Sequence, residues 1–489
     1  MRKIIDITNR FGNVDISEIQ INPKSRDEID KTLRGLQYLF TSTEIRAEIL
    51  KLLDEELLPK VSKNNGRPGM DLWKILVLGL IRQVSDLDYD KLHNLSNEHR
   101  TIRAFLGHDS WEWGDTSIYE LQTIKDNVKL LTPELIDKIN KIVVDCGHNL
   151  LGGKKKDELH VSIDSFVIKT DVHYPTDISL LFDAIRKSIQ LTANLCTDYN
   201  LSEMRQSNYQ LRKIKTLFRK AQKANQSNSP NKEERKKSTH KDYLTEVQKA
   251  ETKVNEVIKI ILEKVAPSPI LLARILEIDR YMHWVSHQKS LVERRVLNDE
   301  VIPHSEKVHS IFEPHTRWIS KGKAGVKVEL GLPVTIAKDQ HGFILGYKIM
   351  ETESDVDVAV PLTEQLTNQY PTIISESFDK GFWSKPNREA IGKLVPKVIM
   401  PKKGRLNKEE EKEHSTKEFK TLRKKHSAVE SSINGLDHTG LDRCYDHGIH
   451  GFKRCVSLSI LGRNIHTLGV ILLKKQEKQR RRKRHKQAA

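Results

Sequence analysis

Leu159-His160-Val161-Ser162-Ile163-Asp164-Ser165-Phe166-Val167-Ile168 alternates apolar with polar residues and is rich in β-branched side chains. That period of two predicts a β-strand. It follows the polar linker Gly152-Gly153-Lys154-Lys155-Lys156 and marks a change of texture, because the residues before it read mostly as helices. Strand texture returns over Lys327 to Ala337, where Val328, Leu330, Leu332, Val334 and Ile336 alternate, and Asp339-Gln340-His341-Gly342 predicts a turn into a strand over Phe343 to Met350. A helix over Val358 to Gln369 and a strand over Thr372 to Phe378 follow. The order of strand, insertion, two strands, helix, strand, helix predicts an α/β layer with a mixed sheet, α+β for the chain as a whole. A ribonuclease-H-like fold has this order once the insertion is removed.

Upstream, residues 1–155 form a predicted helical N-terminal domain, with amphipathic runs at Ile45, Leu50, Leu52 and Leu53 and at Leu72, Ile75, Leu76 and Leu80 after the turn Gly66-Arg67-Pro68-Gly69. Within it, Asp88 to Leu95 and Glu98 to Leu106, parted by Ser96-Asn97 and closed by Gly107, are compatible with a helix-turn-helix; plain helical packing gives the same pattern. The ribonuclease-H-like core is expected over 156–177 and 300–473, interrupted by a helical coiled-coil insertion over 178–299. Tyr243, Val247, Ala250, Val254, Val257 and Ile261 step by four and three, which is a coiled-coil seam, and Leu211, Ile214, Phe218 and Ala221 offer the partner face. An antiparallel hairpin is predicted, with Asn225 to Lys241 as its mobile tip. After the Pro267-Ser268-Pro269 break, Leu271, Leu272, Ile275, Ile278 and Met282 continue as a further helix. The basic residues 474–489 are expected to be a disordered tail that adds phosphate affinity.

The 489 residues suffice for two or three domains with cores of their own, and 83 Lys and Arg against 66 Asp and Glu give a formal charge of +17. That excess fits a polyanionic partner, nucleic acid first, although a solvated basic surface would also produce it. Cys146, Cys196, Cys444 and Cys455 form no close pair, which excludes a zinc-ribbon spacing and a disulfide framework. Met1 to Ser17 has no signal-peptide core and the apolar stretch Leu72 to Ile81 is too short to span a bilayer, so a cytosolic location without a membrane role is expected. His304, His309 and His315 lack the spacing of a zinc enzyme, and Gly322-Lys323-Ala324-Gly325 is far from a phosphate-binding loop, so no nucleotide cofactor is expected.

Two-metal phosphodiester chemistry needs a few carboxylates on rigid elements, and three in distant parts of the chain are candidates for it. Asp164 lies within an apolar strand, where an unpaired carboxylate is costly and a metal would remove that cost; a turn cap or a lysine partner would also account for it. Asp379 ends the strand Ile373-Ile374-Ser375-Glu376-Ser377-Phe378, at the carboxyl edge where open sheets place their sites, and is preferred to Glu376. Glu430 shares a helical face with Arg423, His426 and Asn434, which stand seven and four residues before it and four after it; a solvated polar face is the competing account.

At these residues the chain resembles the DDE transposases of bacterial insertion sequences, most closely the ISNCY group, over most of its length. Gly66 to Gly69 through Arg103-Ala104-Phe105-Leu106-Gly107 resembles the N-terminal domain, and Asp164 to Arg186, with His173-Tyr174-Pro175-Thr176-Asp177, resembles the first-acid segment. Ile311-Phe312-Glu313-Pro314-His315-Thr316-Arg317-Trp318-Ile319 with Lys321-Gly322-Lys323 resembles the lead-in to the second strand, and Phe378-Asp379-Lys380-Gly381-Phe382 the second-acid string. The most specific piece is His426-Ser427-Ala428-Val429-Glu430-Ser431-Ser432-Ile433-Asn434-Gly435-Leu436, which resembles the third-acid helix. Related families carry Tyr, Arg, Glu and Lys on that helix; Arg423 and Glu430 match two of these, while Asp437 stands where the Lys would be.

The resemblance implies an enzyme that binds terminal inverted repeats and cuts and joins DNA. Asp164, Asp379 and Glu430 would be both catalytic residues and ligands of two Mg2+ ions, with Mn2+ as a substitute, while Arg423, His426 and Asn434 would support them or contact DNA. It also implies a homodimer on DNA, target DNA as second substrate, and a bacterial cytoplasmic, nucleoid-associated location. Rival expectations are a ribonuclease-H-like nuclease that does not join ends, a non-catalytic DNA-binding derivative, and a coiled-coil scaffold.

Overall fold

The computed structural model describes residues 15–22, 25, 27–57, 69–108, 118–151, 158–320 and 327–488. Gly66, Arg67 and Pro68, the 152–156 linker and the glycine-lysine piece at 321–325 lie outside the described residues. Among the described residues the chain is mixed α/β, largely helical, with one mixed sheet of seven strands. It divides into two compact units: residues 1–171 with 319–489, and residues 172–318.

Among the described residues of the first unit, seven α-helices precede the sheet: α1 (Glu28–Thr41), α2 (Thr43–Leu57), α3 (Leu72–Val84), α4 (Tyr89–Glu98), α5 (Arg100–Phe105), α6 (Leu121–Val128) and α7 (Pro133–Leu151). Every residue of α3 except Lys74 is buried, as expected for a helix that is apolar all round. It sits inside a core that runs from Leu33, Leu36 and Leu76 through Val143 to Val161, Ile163 and Phe378 of the sheet. The N-terminal helices are therefore not a separate domain ending near residue 155; they cover one face of the sheet.

The helix pair predicted around residues 88–106 is α4 and α5, but α4 runs through Ser96 and Asn97 and the break is His99, which caps α5. Ser96 is fully buried, and Asn97 exchanges two hydrogen bonds with the Tyr119 backbone, at 2.8 and 3.1 Å. These polar residues satisfy internal groups rather than form a turn. A one-residue junction, with Arg103 buried and donating to the Asn97 carbonyl at 3.2 Å, is tighter than the three- to four-residue turn of a helix-turn-helix.

The sheet is built on β1 (Leu159–Thr170). On one side β1 pairs antiparallel with β3 (Val328–Lys338), which pairs antiparallel with β4 (Ile344–Ile349); β2 (Arg317–Ser320) lies beyond β3 on the same side. On the other side β1 pairs parallel with β5 (Ile373–Phe378), which pairs parallel with β6 (Lys397–Ile399), while β7 (Arg443–Cys444) continues along the far end of β1. α12 (Asp355–Gln369) links β4 to β5 and packs Val358, Leu362 and Leu366 on the same face as the N-terminal helices. The opposite face, Phe166, Ile168, Leu332, Val334 and Ile336, is covered by Val429 and Leu436 of α16 (Ala428–Leu436) and by Phe452 and Val456 of α17 (Gly448–Ala488).

α17 is one helix, so residues 474–488 are not the disordered tail the sequence predicts. Lys, Arg and Gln are good helix formers and extend a helix already nucleated by its buried first half. Among the described residues α17 also contains the one segment, Gly448–Lys483, that is long and apolar enough to cross a membrane; 67% of its most apolar stretch is buried inside the structure. A reading that stopped at Leu72 to Ile81 missed it. α17 crosses α1 at a glycine pair, because a methyl at Gly469 would fall on the Lys31 carbonyl and one at Gly35 on the Ile465 carbonyl. Backbone cannot step aside as a side-chain tip can. Gly469→Ala should therefore cost about 1–3 kcal/mol or more, read as a lower denaturation midpoint at unchanged m-value.

The second unit is four helices: α8 (Asp177–Asp198), α9 (Ser207–Asn225), α10 (Lys232–Lys264) and α11 (Pro269–Val292). The predicted seam is present, with Tyr243, Val247, Ala250, Val254, Val257 and Ile261 all fully buried and α9 antiparallel to α10, as Phe218 against Tyr243 and Lys213 with Glu246 show. The hairpin does not stand alone. Leu181, Ile185 and Ile189 of α8 and Ile278, Met282 and Val285 of α11 share its core. Of the predicted mobile tip only residues 226–231 are non-helical. The break before α11 is as expected, with Ser268 capping at 3.1 Å and Pro269 in the first turn.

Candidate active site

Strand register brings two of the predicted acids together. Ser162 pairs with Ser377 and Ile163 with Phe378 across the parallel β1–β5 ladder, so the next position on each strand sets Asp164 beside Asp379. Side chains alternate along a strand, which puts Asp164 on the face of Phe166 and Ile168, the face that α16 covers. Glu376 belongs to the opposite face, fully buried, with its carboxyl accepting from Thr363 Oγ1 of α12 at 2.7 Å. Burial pushes that carboxyl up to about 7, the Thr363 hydrogen bond opposing. Glu376 is thus a core group, in keeping with the preference for Asp379.

Asp379 is exposed and opens a short 3-10 turn, Lys380–Phe382, without capping it, so its carboxylate is not spent on the turn. Glu430 is the third residue of α16, exposed beside Val429, which is fully buried on the sheet. The Asp164 carboxyl is pushed up to about 6, first by burial and then by the negative charges of Asp379, Asp355 and Glu430; its hydrogen bond from Ser165 N, at 2.8 Å, pulls the other way. The three predicted acids therefore share one neighbourhood with a fourth. Asp355 is the first residue of α12, and a Cβ on Gly381 would meet its Oδ2 at 2.6 Å, which ties it to the loop after Asp379.

Two hydrogen bonds hold the third acid over this row. The helix predicted to carry Arg423, His426, Glu430 and Asn434 on one face is interrupted: α15 (Lys417–His426) and α16, which begins at Ala428, meet at Ser427. His426 and Asn434 therefore do not lie on one uninterrupted helical face, and Arg423 and Asn434 are exposed. The junction is pinned from both sides. Ser377 Oγ lies 3.0 Å from His426 Nδ1, and Lys338 Nζ donates to the Ala428 carbonyl at 2.9 Å. Lys338, Ser162 and Ser377 occupy one row across β3, β1 and β5, one step from Asp164 and Asp379.

Burial drives the His426 imidazole below its usual value against the pull of Asp379 and Glu430, so near neutrality it is an uncharged hydrogen-bonding group. Burial likewise lowers Lys338. Neither Lys338 nor Ser377 carries a signal in the local sequence; only the strand register shows them. Lys338→Met, which keeps the stem and removes the bond to Ala428, should loosen Glu430 and lower the proposed cleavage rate about 10–100-fold with little change in stability, by the sensitivity of rate to small misplacements. Single-turnover cleavage beside a denaturation curve checks it.

Among the described residues no three His, Cys, Asp or Glu side chains are already drawn together at ligating distances. The donor set itself, carboxylates gathered around a buried Asp164 whose proton affinity their charges raise, suits a hard divalent cation with oxygen ligands. Asp164, Asp379 and Glu430, with Asp355 at their side, are the residues that could hold it. No protein-family model, curated protein or solved structure matches this chain.

Proposed function

We propose that the chain is a DDE-type DNA transposase, a metal-dependent enzyme that cuts element ends at their terminal inverted repeats and joins them to target DNA. The observation that carries the reading is the cross-strand placement of Asp164 beside Asp379, with Glu430 on the helix covering the same face. The mixed sheet supports a ribonuclease-H-like core, since β4, β3 and β1 are antiparallel neighbours followed by the parallel β5 and β6, with a long insertion after β1.

Rigid strands fix Asp164 and Asp379, so little reorganisation is needed when substrate arrives. Two Mg2+ ions bound by the acids would activate the attacking oxygen and steady the leaving oxygen of the phosphodiester. His426, held at Nδ1 by Ser377, has Nε2 left for an outside partner such as a phosphate oxygen or the attacking water. Arg423, one turn earlier and exposed, would add charge toward DNA. α9 carries Arg212, Lys215, Arg219, Lys220 and Lys223 exposed and contains no acid, which fits contact with the phosphate backbone of a bound end; Lys213 is taken by Glu246 at 2.8 Å. Two ends cut together favour a dimer on DNA.

The test is incubation of the full chain with Mg2+ and DNA bearing the element's own ends. Joined product is the expected result. Cleavage without joining would make the protein a nuclease, and binding without cleavage a DNA-binding derivative.

A further inference from the structure

The segment where the second unit begins and ends carries four aromatic rings in a row. Tyr174 lies 5.6 Å from Trp318, Trp318 lies 5.6 Å from His309, and His309 lies 5.8 Å from His304, centroid to centroid. Tyr174 is 64% exposed and His304 is exposed, while Trp318 and His309 are half-buried between them. The planes are tilted or edge-on, at 65°, 38° and 53°, so the rings brace one another without covering all their faces. Sequence distance makes the grouping more telling, since His173-Tyr174 and Trp318 lie at opposite ends of a 147-residue unit. Nothing in the proposed carboxylate chemistry uses them.

Near the rings Asp177 is paired with Arg295 at 2.6 Å and Asp183 with Arg186 at 3.0 Å, while Arg294 is shared between Glu300 and Glu306 at 2.5 Å each. The cation these pairs leave for a polyanion is Lys307. Lys307 is exposed and close enough to His309, after burial and His304, to help depress its imidazole. Open aromatic faces beside cations are what unpaired bases need, because every base offers a π-face and its phosphate a charge. A paired duplex hides those faces and gains only the cations.

We propose that Tyr174, Trp318, His309 and His304 form a stacking platform for single-stranded DNA. The ligand class rests on the DNA-processing reading above, whereas the platform itself makes no use of Asp164, Asp379 or Glu430. Its partner would be strand liberated next to a cut or unpaired at an element end.

The test measures binding of labelled oligothymidine and of a duplex of equal length to the full chain without divalent metal, so that cleavage plays no part. Tyr174→Ala is expected to weaken oligothymidine binding roughly tenfold or more while leaving duplex affinity and the salt dependence of binding unchanged, and Tyr174→Phe should retain it. Trp318→Phe should keep most of the affinity and Trp318→Ala lose it. Because Trp318 is half-buried, a misfolded Trp318→Ala would leave the decision to Tyr174→Ala. The platform is overturned by oligothymidine affinity of Tyr174→Ala within about twofold of wild type, by equal loss on duplex and single strand, or by a wild type that binds duplex alone. Survival of single-strand binding in an Asp164→Asn protein that does not cut would separate this inference from the catalytic one.

Discussion

Asp164→Asn, Asp379→Asn and Glu430→Gln are each expected to reduce DNA strand cleavage and end joining by roughly 10³-fold or more, because an absent ligand removes several kcal/mol of stabilisation of the charged transition state. Binding to element-end DNA should remain within a few-fold of wild type, because the phosphate-facing cations are elsewhere on the chain. The three substitutions act on one assembly, so a double mutant should be little worse than either single. Single-turnover cleavage with Mg2+, beside a binding isotherm in chelator, reads both quantities. Activity surviving any one substitution would remove that acid from the site. Asp355→Asn is the informative companion, since Asp355 lies within electrostatic reach of Asp164. A loss as large as that of Asp379→Asn would make it a fourth ligand, and a small one would leave it a neighbour that shapes the loop at Gly381.

What the sequence made legible follows from period. Alternation over 159–168 and 328–336 and the strand before Asp379 correspond to β1, β3 and β5, and the steps of four and three at Tyr243 to Ile261 correspond to a buried seam. An acid inside an apolar strand and an acid at a strand end are both local signals, so Asp164 and Asp379 could be picked out, and register then set them side by side. Glu430 stands out through its string and its helical stretch, whereas the break at Ser427 has no signal in a run from Lys417 to Asn434 that contains neither Gly nor Pro.

Properties made between segments were not legible. Lys338 and Ser377 acquire a role only when β3, β1 and β5 align, and Asp355 reads locally as an ordinary acid at a helix N-terminus. The partnership of α8 and α11 with the hairpin, and of the N-terminal helices with the sheet, depends on which apolar faces meet. Periodicity announces a face without naming its partner.

In the absence of metal, Asp164→Asn should stabilise the protein near pH 7.5 by about 1–3 kcal/mol, even as it abolishes the proposed reaction. The carboxyl rises to about 6 in the folded chain, first because it is buried and then because Asp379, Asp355 and Glu430 repel its charge, whereas in the unfolded chain it titrates near about 4. Between those values the native state holds the extra proton. Wild-type stability therefore falls as pH rises from about 4 to about 6 and is flat above, where the charged form bears the whole penalty, of order 3 kcal/mol. An asparagine amide keeps an oxygen for Ser165 N and carries no charge, so the variant escapes the penalty, and its advantage should vanish below about pH 4. Urea denaturation across this range in chelator measures the difference. Mg2+ should then raise the midpoint of the wild type and leave the variant nearly unmoved, because ligand binding stabilises only the state that binds it. A variant less stable than wild type throughout would mean that Asp164 is a structural carboxylate with a stabilising partner, and the site at β1 would have to be given up.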